Sequence, residues 1–217
     1  MKHLHKTGEE KPAASSPVRQ RIIIASNNQG KIREFRKLLE PFGFDAVSMR
    51  EAGFTDEIIE DGDTFEENAH IKARAVFEAT KLPTIADDSG LEIDFLNGAP
   101  GIYSARYAGE GATDKELCEK VLEEMHGVSH PLREARFVCS IYFIYAEDDE
   151  YSVNGTIEGY IGDEMVGTKG FGYDPIFMVD EDRSMAELDE EEKNEISHRA
   201  RAFEQLAKIL KEKFGQC

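Results

Sequence analysis

Three shortages in this 217-residue chain narrow its class before any motif is read. No apolar run approaches the ~20 residues needed to cross a bilayer, so no membrane association through a spanning helix is expected. The first twenty residues hold Lys, Glu, Pro, Ala and Ser without an apolar segment, unlike a secretory signal. We read residues 1–20 as a disordered tail ahead of a single domain over 21–217. Cysteine is scarce: Cys118, Cys139 and Cys217 stand far apart, with no CxxC and no Cys/His cluster. That argues against a disulfide framework or structural zinc and fits a reducing cytoplasm. Cys139, inside the apolar stretch FVCSIYF, is expected to be a buried, inert thiol.

Positive charge is the third shortage. Against 26 Lys and Arg stand 44 Asp and Glu, for a formal net charge of −18. Such a surface repels nucleic acid and anionic membranes, so neither is expected as a partner. A polyanionic ligand then requires a few cations gathered in one place and a divalent metal to neutralise the rest. The 40 % hydrophobic and 32 % charged residues are ordinary for a globular protein. No internal repeat is present.

Along the chain, Arg21 to Ala25 reads as a buried strand, followed by a polar turn and a helix to about Glu40 that Pro41 ends. A second strand is expected at Asp45 to Met49, then an acidic loop. Thr64 and Glu67 have the spacing of a capping box opening a helix to about Lys81, with Phe65, Ala69, Ala73 and Val76 on one side. Pro83 to Ala86 reads as a strand ending at Asp87-Asp88-Ser89-Gly90. Thr113 and Glu116 open a further helix to about Met125. Residues 135–145 and 151–159 read as a hairpin, so the sheet is expected to be mixed. A Gly-rich loop, Gly167 to Asp174, precedes a short strand at Pro175 to Val179 and a last amphipathic helix carrying Phe203, Leu206 and Leu210.

Five segments carry candidate chemistry. SNNQGK, Ser26 to Lys31, sits at a strand-to-helix junction, where free N–H groups and the helix dipole favour an anion and Lys31 adds a point charge. The spacing is not that of a Walker A loop, and a plain capped turn explains it as well. DDSG, Asp87 to Gly90, places two adjacent carboxylates at a strand end, which suits magnesium over a simple Asx turn. Glu60, in the acidic run, reads by itself as solvated surface; Lys72 either reaches a phosphate or is, as is commoner for a helical lysine, solvated. In GFGYDP, Phe171 and Tyr173 between glycines either stack on a planar ring, with Asp174 accepting from a base or ribose, or belong to a plain turn. In EEKNEISHR, Lys193, His198 and Arg199 are either ligand contacts or cations in surface ion pairs with Glu195; spacing does not choose.

Taken together, SNNQGKIREF, DGDTFEENAHIKA, IADDSGLEID, GAPGIYSARYAG, FGYDPIF and EEKNEISHRARA resemble the inosine-triphosphate pyrophosphatase family from about Ile22 to Leu210. The resemblance implies an α/β fold: an elongated mixed sheet flanked by helices, in two lobes with an active-site cleft between them, and a homodimer. It implies hydrolysis of ITP, dITP and XTP to the monophosphate and pyrophosphate with Mg²⁺. Carried over by position, Ser26, Asn27, Asn28, Gln29, Gly30 and Lys31 would hold the triphosphate, with Ser89 on phosphate. Glu60 and Asp88 would bind magnesium, and Asp88 would also activate water. Phe171, Gly172, Tyr173, Asp174, Lys193, His198 and Arg199 would frame and read the purine. Asn27 stands where many relatives have Gly and tolerates the positive φ such a turn needs. Asp189, where Thr is common, caps a helix equally well. A module that binds a triphosphate without cleaving it is the competing reading, and the pair Glu60 and Asp88 speaks against it. An enzyme for pyrimidine or methylated triphosphates is the other, and FGYD and SHR favour purine.

Overall fold

The computed structural model describes residues 20–214. Apart from Gln20, the tail expected over residues 1–20 lies outside the described residues, as does Cys217. Six strands form one mixed sheet in the order β2-β1-β3-β4-β5-β6. They are β1 (Arg21–Ile24), β2 (Asp45–Ser48), β3 (Thr84–Ile93), β4 (Glu134–Ala146), β5 (Asp149–Ile161) and β6 (Phe177–Met178). β1 pairs in parallel with β2 and β3, while β3 to β6 run antiparallel to one another, as the hairpin predicted. The helices are α1 (Gln29–Leu39), α2 (Phe65–Thr80), α3 (Asp114–Glu124), α4 (Glu190–Ile196) and α5 (His198–Phe214). Among the described residues no helix is long and apolar enough to cross a membrane.

Successive side chains of a strand point to opposite faces, and β1 is buried on both. Ile22 and Ile24 pack with Phe35 of α1 and Phe203, Leu206 and Leu210 of α5. Ile23 and Ala25 pack on the other side with Ala73, Val76 and Phe77 of α2. The long strands β3 to β5 then run on into a second core, where Leu91, Ile93, Phe137 and Ile157 meet Leu117 and Val121 of α3. Two cores on one continuous set of strands give the two lobes.

The strand carrying DDSG does not stop there. Aspartate and glycine disfavour strands, so a local reading ends β3 early. β3 instead continues through Asp87, Asp88, Ser89 and Gly90, each paired with β4. What stops is its parallel neighbour: β1 pairs only as far as Ile24 with Ile85. Beyond that point β1 gives way to the turn into α1, and β3 has an open edge until Leu91 N donates to Ser104 Oγ and Glu92 bridges to Pro100. The cleft lies along that edge.

Two helix starts are set by local contacts. The last helical segment is broken at Ser197, whose extended backbone (ψ 157°) ends α4 and whose Oγ accepts from Ala200 N at 3.2 Å, opening α5. Glu67 reaches Asp63 N at 2.7 Å, one residue further back than a capping box requires, while Thr64 Oγ1 accepts from Glu67 N. The boxes at Thr113 with Glu116 and Asp189 with Glu192 are complete.

Candidate active site

A cleft of about 550 Å³ opens along the free edge of β3. It brings together residues from every candidate segment: Ser26, Asn27, Asn28 and Lys31, then Glu60, then Asp88 and Ser89. Phe171 to Asp174, Lys193, His198 and Arg199 complete its wall. Gln29 and Gly30 do not line it.

The pleat of β3 decides what the two adjacent aspartates do. Asp87 follows Ile85 onto the face of α1 and α5, and Asp88 follows Ala86 onto the face of α2. One metal ion therefore does not take both, which corrects the reading of DDSG as a paired-carboxylate site. Asp87 is buried and accepts from Arg199 Nη2 at 2.7 Å and Nε at 3.1 Å, and from Ser89 Oγ at 3.1 Å. Lys31 Nζ lies 3.2 Å from the same oxygen. Burial alone would raise this carboxyl; Arg199, Lys31 and Lys72 overcome it and hold the group far below the usual carboxylate range.

On the opposite face, Asp88 Oδ1 accepts from Lys72 Nζ at 2.7 Å, and the same ammonium donates to Glu60 Oε2 at 2.6 Å. Burial pushes the Asp88 carboxyl up, Lys72 and Lys31 pull it back, and Glu60 adds to the rise. Burial alone would ease loss of the Lys72 proton, but Asp88 and Glu60 hold the ammonium above its ordinary value. Lys72 is thus no solvated lysine. The readable signal is its place on the buried stripe of α2, with Asn68, Ala69, Ala73 and Val76.

Glu34 is the residue missed from the sequence. It stands one turn after Lys31 on α1, pairs with Arg199 and lies 3.0 Å from Lys193 Nζ. Despite burial, those two cations keep its pKa low. Lys193 also donates to Asp174 Oδ2 at 2.6 Å. Lys193 and Arg199 therefore belong to a buried chain of alternating charge, Lys31–Asp87–Arg199–Glu34–Lys193–Asp174, and not to surface pairs with Glu195.

The aromatic loop is built the same way. Asp174 Oδ2 accepts from Phe171 N at 2.8 Å and is buried, so its carboxylate orders the loop. Tyr173 is also buried and donates to Ser104 O at 2.7 Å, which leaves Phe171 as the ring available for stacking. Lys193 Nζ sits 4.4 Å from the Phe171 centroid, a cation–π contact. His198 stacks on Phe137 at 4.9 Å between centroids, and its Nδ1 has no partner among the described residues. Burial, then Arg199 and Lys193, push its pKa well below the ordinary value, so it is neutral.

A neutral buried imidazole destabilises the fold in acid, because the unfolded chain takes up a proton that the folded one refuses. The cost begins below about pH 6.5 and grows by at most about 1.4 kcal/mol per pH unit until the folded-state pKa is reached. We expect the melting temperature to fall less between pH 7 and pH 5 in His198→Gln than in the wild type, by thermal unfolding at each pH.

At the junction of β1 and α1, Asn28 caps the helix. Its Oδ1 accepts from Gly30 N at 2.8 Å and from Lys31 N at 3.2 Å. Those N–H groups are consequently not free for an anion, which corrects the expectation for this turn; the helix dipole and Lys31 remain. Asn27 does not adopt a positive φ, so its replacement of Gly carries no strain. Gly30 has a different duty: a Cβ there would lie 2.3 Å from Phe171 Cδ1. Gly→Ala within a helix normally stabilises by about 1 kcal/mol. Here we expect the reverse for Gly30→Ala, a loss of about 1–3 kcal/mol as Phe171 is displaced, measured by thermal unfolding.

The fold and cleft define an α/β protein whose sheet opens at one edge onto a charged, aromatic-walled site. The chain belongs to the Ham1 family, whose model matches residues 22–209. It is 52% identical over 194 residues to the dITP/XTP pyrophosphatase of Bacillus subtilis (strain 168), covering 89% of this chain and 98% of that protein. It is 50% identical over 196 residues to the dITP/XTP pyrophosphatase of Vibrio vulnificus (strain YJ016), covering 89% and 98%. Among solved structures, the Ham1 protein of Staphylococcus aureus matches with a TM-score of 0.79 at 42% identity, over 89% of this chain and 100% of that one. A HAM1 protein from Coxiella burnetii matches with a TM-score of 0.80 at 45% identity, over 89% and 99%.

Proposed function

We propose that this chain hydrolyses non-standard purine nucleoside triphosphates, dITP, XTP and ITP, to the monophosphate and pyrophosphate. The observation that carries the proposal is the cleft itself. It gathers a helix N-terminus with Lys31, the cluster of Glu60, Lys72 and Asp88, and the rings of Phe171 and His198 in one space. The names of the relatives, dITP/XTP pyrophosphatase, point the same way.

The residues present fit magnesium. Among the described residues no group of three or more His, Cys, Asp or Glu forms a ready metal cage. Magnesium, however, typically takes one or two carboxylates and completes its shell with water and substrate phosphates. Glu60 and Asp88, brought to one ammonium at 2.6 and 2.7 Å, are such a pair. A bound magnesium ion would neutralise charge building on the phosphates.

Asp88, its pKa raised by burial, orients a water and takes its proton as the oxygen attacks the α-phosphorus. The bond from that phosphorus to the bridging oxygen breaks, and pyrophosphate leaves with the electron pair. Lys31, Lys72 and the α1 dipole stabilise the leaving charge. Phe171 stacks on the purine. A neutral His198 donates to a 6-oxo group, whereas a 6-amino group presents a second donor and leaves a buried donor unpaired, at about 1–3 kcal/mol. A homodimer in the cytoplasm belongs to the same reading.

The test is pyrophosphate release with magnesium from ITP, XTP, dITP, GTP and ATP side by side. Fast release from the first three and little from ATP is expected, while GTP, which also carries a 6-oxo group, reports how the cleft treats a 2-amino group. Tight binding of ITP with no release from any would replace hydrolysis with the binding-module reading.

A further inference from the structure

Glu60 lies in a stretch without regular structure ahead of α2. The nearby chain is tied to α2, through Gly62 N to Asn68 Oδ1 at 2.9 Å and Asp63 N to Glu67 Oε2 at 2.7 Å. Lys72 joins Glu60 to the sheet, at Asp88 of β3. Among the described residues, neither carboxylate has another ion-pair partner. The Lys72 side chain is only 11 % exposed, so its ammonium is stabilised by these two oxygens far more than by water.

We propose that Lys72 is an internal counter-ion of the Glu60–Asp88 pair, holding both carboxylates in the metal-free enzyme and competing with a divalent cation for the same two oxygens. This rests on the reading of Glu60 and Asp88 as metal ligands. An ammonium and a divalent cation repel each other at such distances, so the pair serves one at hydrogen-bond range or the other at coordination range. When the cation binds, the Lys72 Nζ gives up its carboxylates inside the cleft, and the phosphates of a bound nucleotide are the anions left for it. Metal and triphosphate therefore strengthen one another's binding through this one side chain, reciprocally.

The test is Mn²⁺ binding without nucleotide, followed by electron paramagnetic resonance, in the wild type and in Lys72→Met and Lys72→Gln. Both variants lose the charge; Gln keeps a donor. We expect Mn²⁺ to bind about tenfold or more tightly in both, while pyrophosphate release falls. If the Met variant does not fold, the Gln variant decides. Equal or weaker Mn²⁺ binding in folded variants overturns the counter-ion role. Wild-type turnover that persists in excess chelator would instead overturn the metal reading, independently of Lys72.

Discussion

Asp88→Asn is expected to lower pyrophosphate release about 10²–10⁴-fold, the usual contribution of a positioned general base, while leaving the fold in place. Asparagine matches aspartate in size and keeps an oxygen that accepts from Lys72, so the β3–α2 junction survives. What it loses is the ability to take a proton, together with the negative charge that would hold a metal ion. The surroundings favour that role, since burial raises the Asp88 carboxyl and a carboxylate with a raised pKa is a better base than a solvated one. Burial is incomplete, with 9% of the residue exposed toward the cleft, so water can reach it. The measurement is kcat for ITP beside the melting temperature. Turnover close to wild type in a folded Asp88→Asn protein would move the base to Glu60, the other carboxylate on Lys72.

The second large effect concerns stability. Arg199 is 1% exposed and joins two acidic residues, Asp87 and Glu34, that come from different elements. Removing one partner of a buried ion pair typically costs about 3–5 kcal/mol, because a charge is left uncompensated. Here each carboxylate keeps a second cation, Lys31 for Asp87 and Lys193 for Glu34. We therefore expect Arg199→Met to cost about 3 kcal/mol, the lower end of that range. For a chain of this length that lowers the melting temperature by roughly 10 °C. A fall within a degree or two would show that Lys31 and Lys193 carry the network unaided. Because the Arg199 donors are already engaged inside the protein, its replacement should disturb base selectivity through the placement of Phe171 and His198. His198→Gln should disturb selectivity directly, with less loss of stability.

Much of this site was legible as a set of parts. The strand-turn-helix at Ser26 to Lys31, the caps at Thr113 and Asp189, the hairpin and the aromatic loop are local features, each written in a short window. The mixed sheet followed from the hairpin, and the resemblance of six segments in order pointed to the family to which the chain belongs. Ser197 is another local feature: a serine followed three residues later by the N–H it caps marks the start of α5. Lys72 was similarly exposed by its spacing, as a lysine on an apolar stripe.

The partners of the charges were not legible, and the reason is physical. Composition and periodicity report which residues are buried, and they act over about one or two turns of chain. Which cation meets which carboxylate depends instead on strand register and on which helix covers which face. Asp87 and Asp88 are neighbours in sequence, but the pleat sends one to Arg199 of α5 and the other to Lys72 of α2. The strand bearing them persists because β4 supplies its ladder across the whole of DDSG, and the cleft exists because β1 does not. The chain alone therefore specifies the elements, their caps and the chemistry of the site's components. Register and helix packing set which of those components touch, since long-range pairing brings together groups that no local window contains.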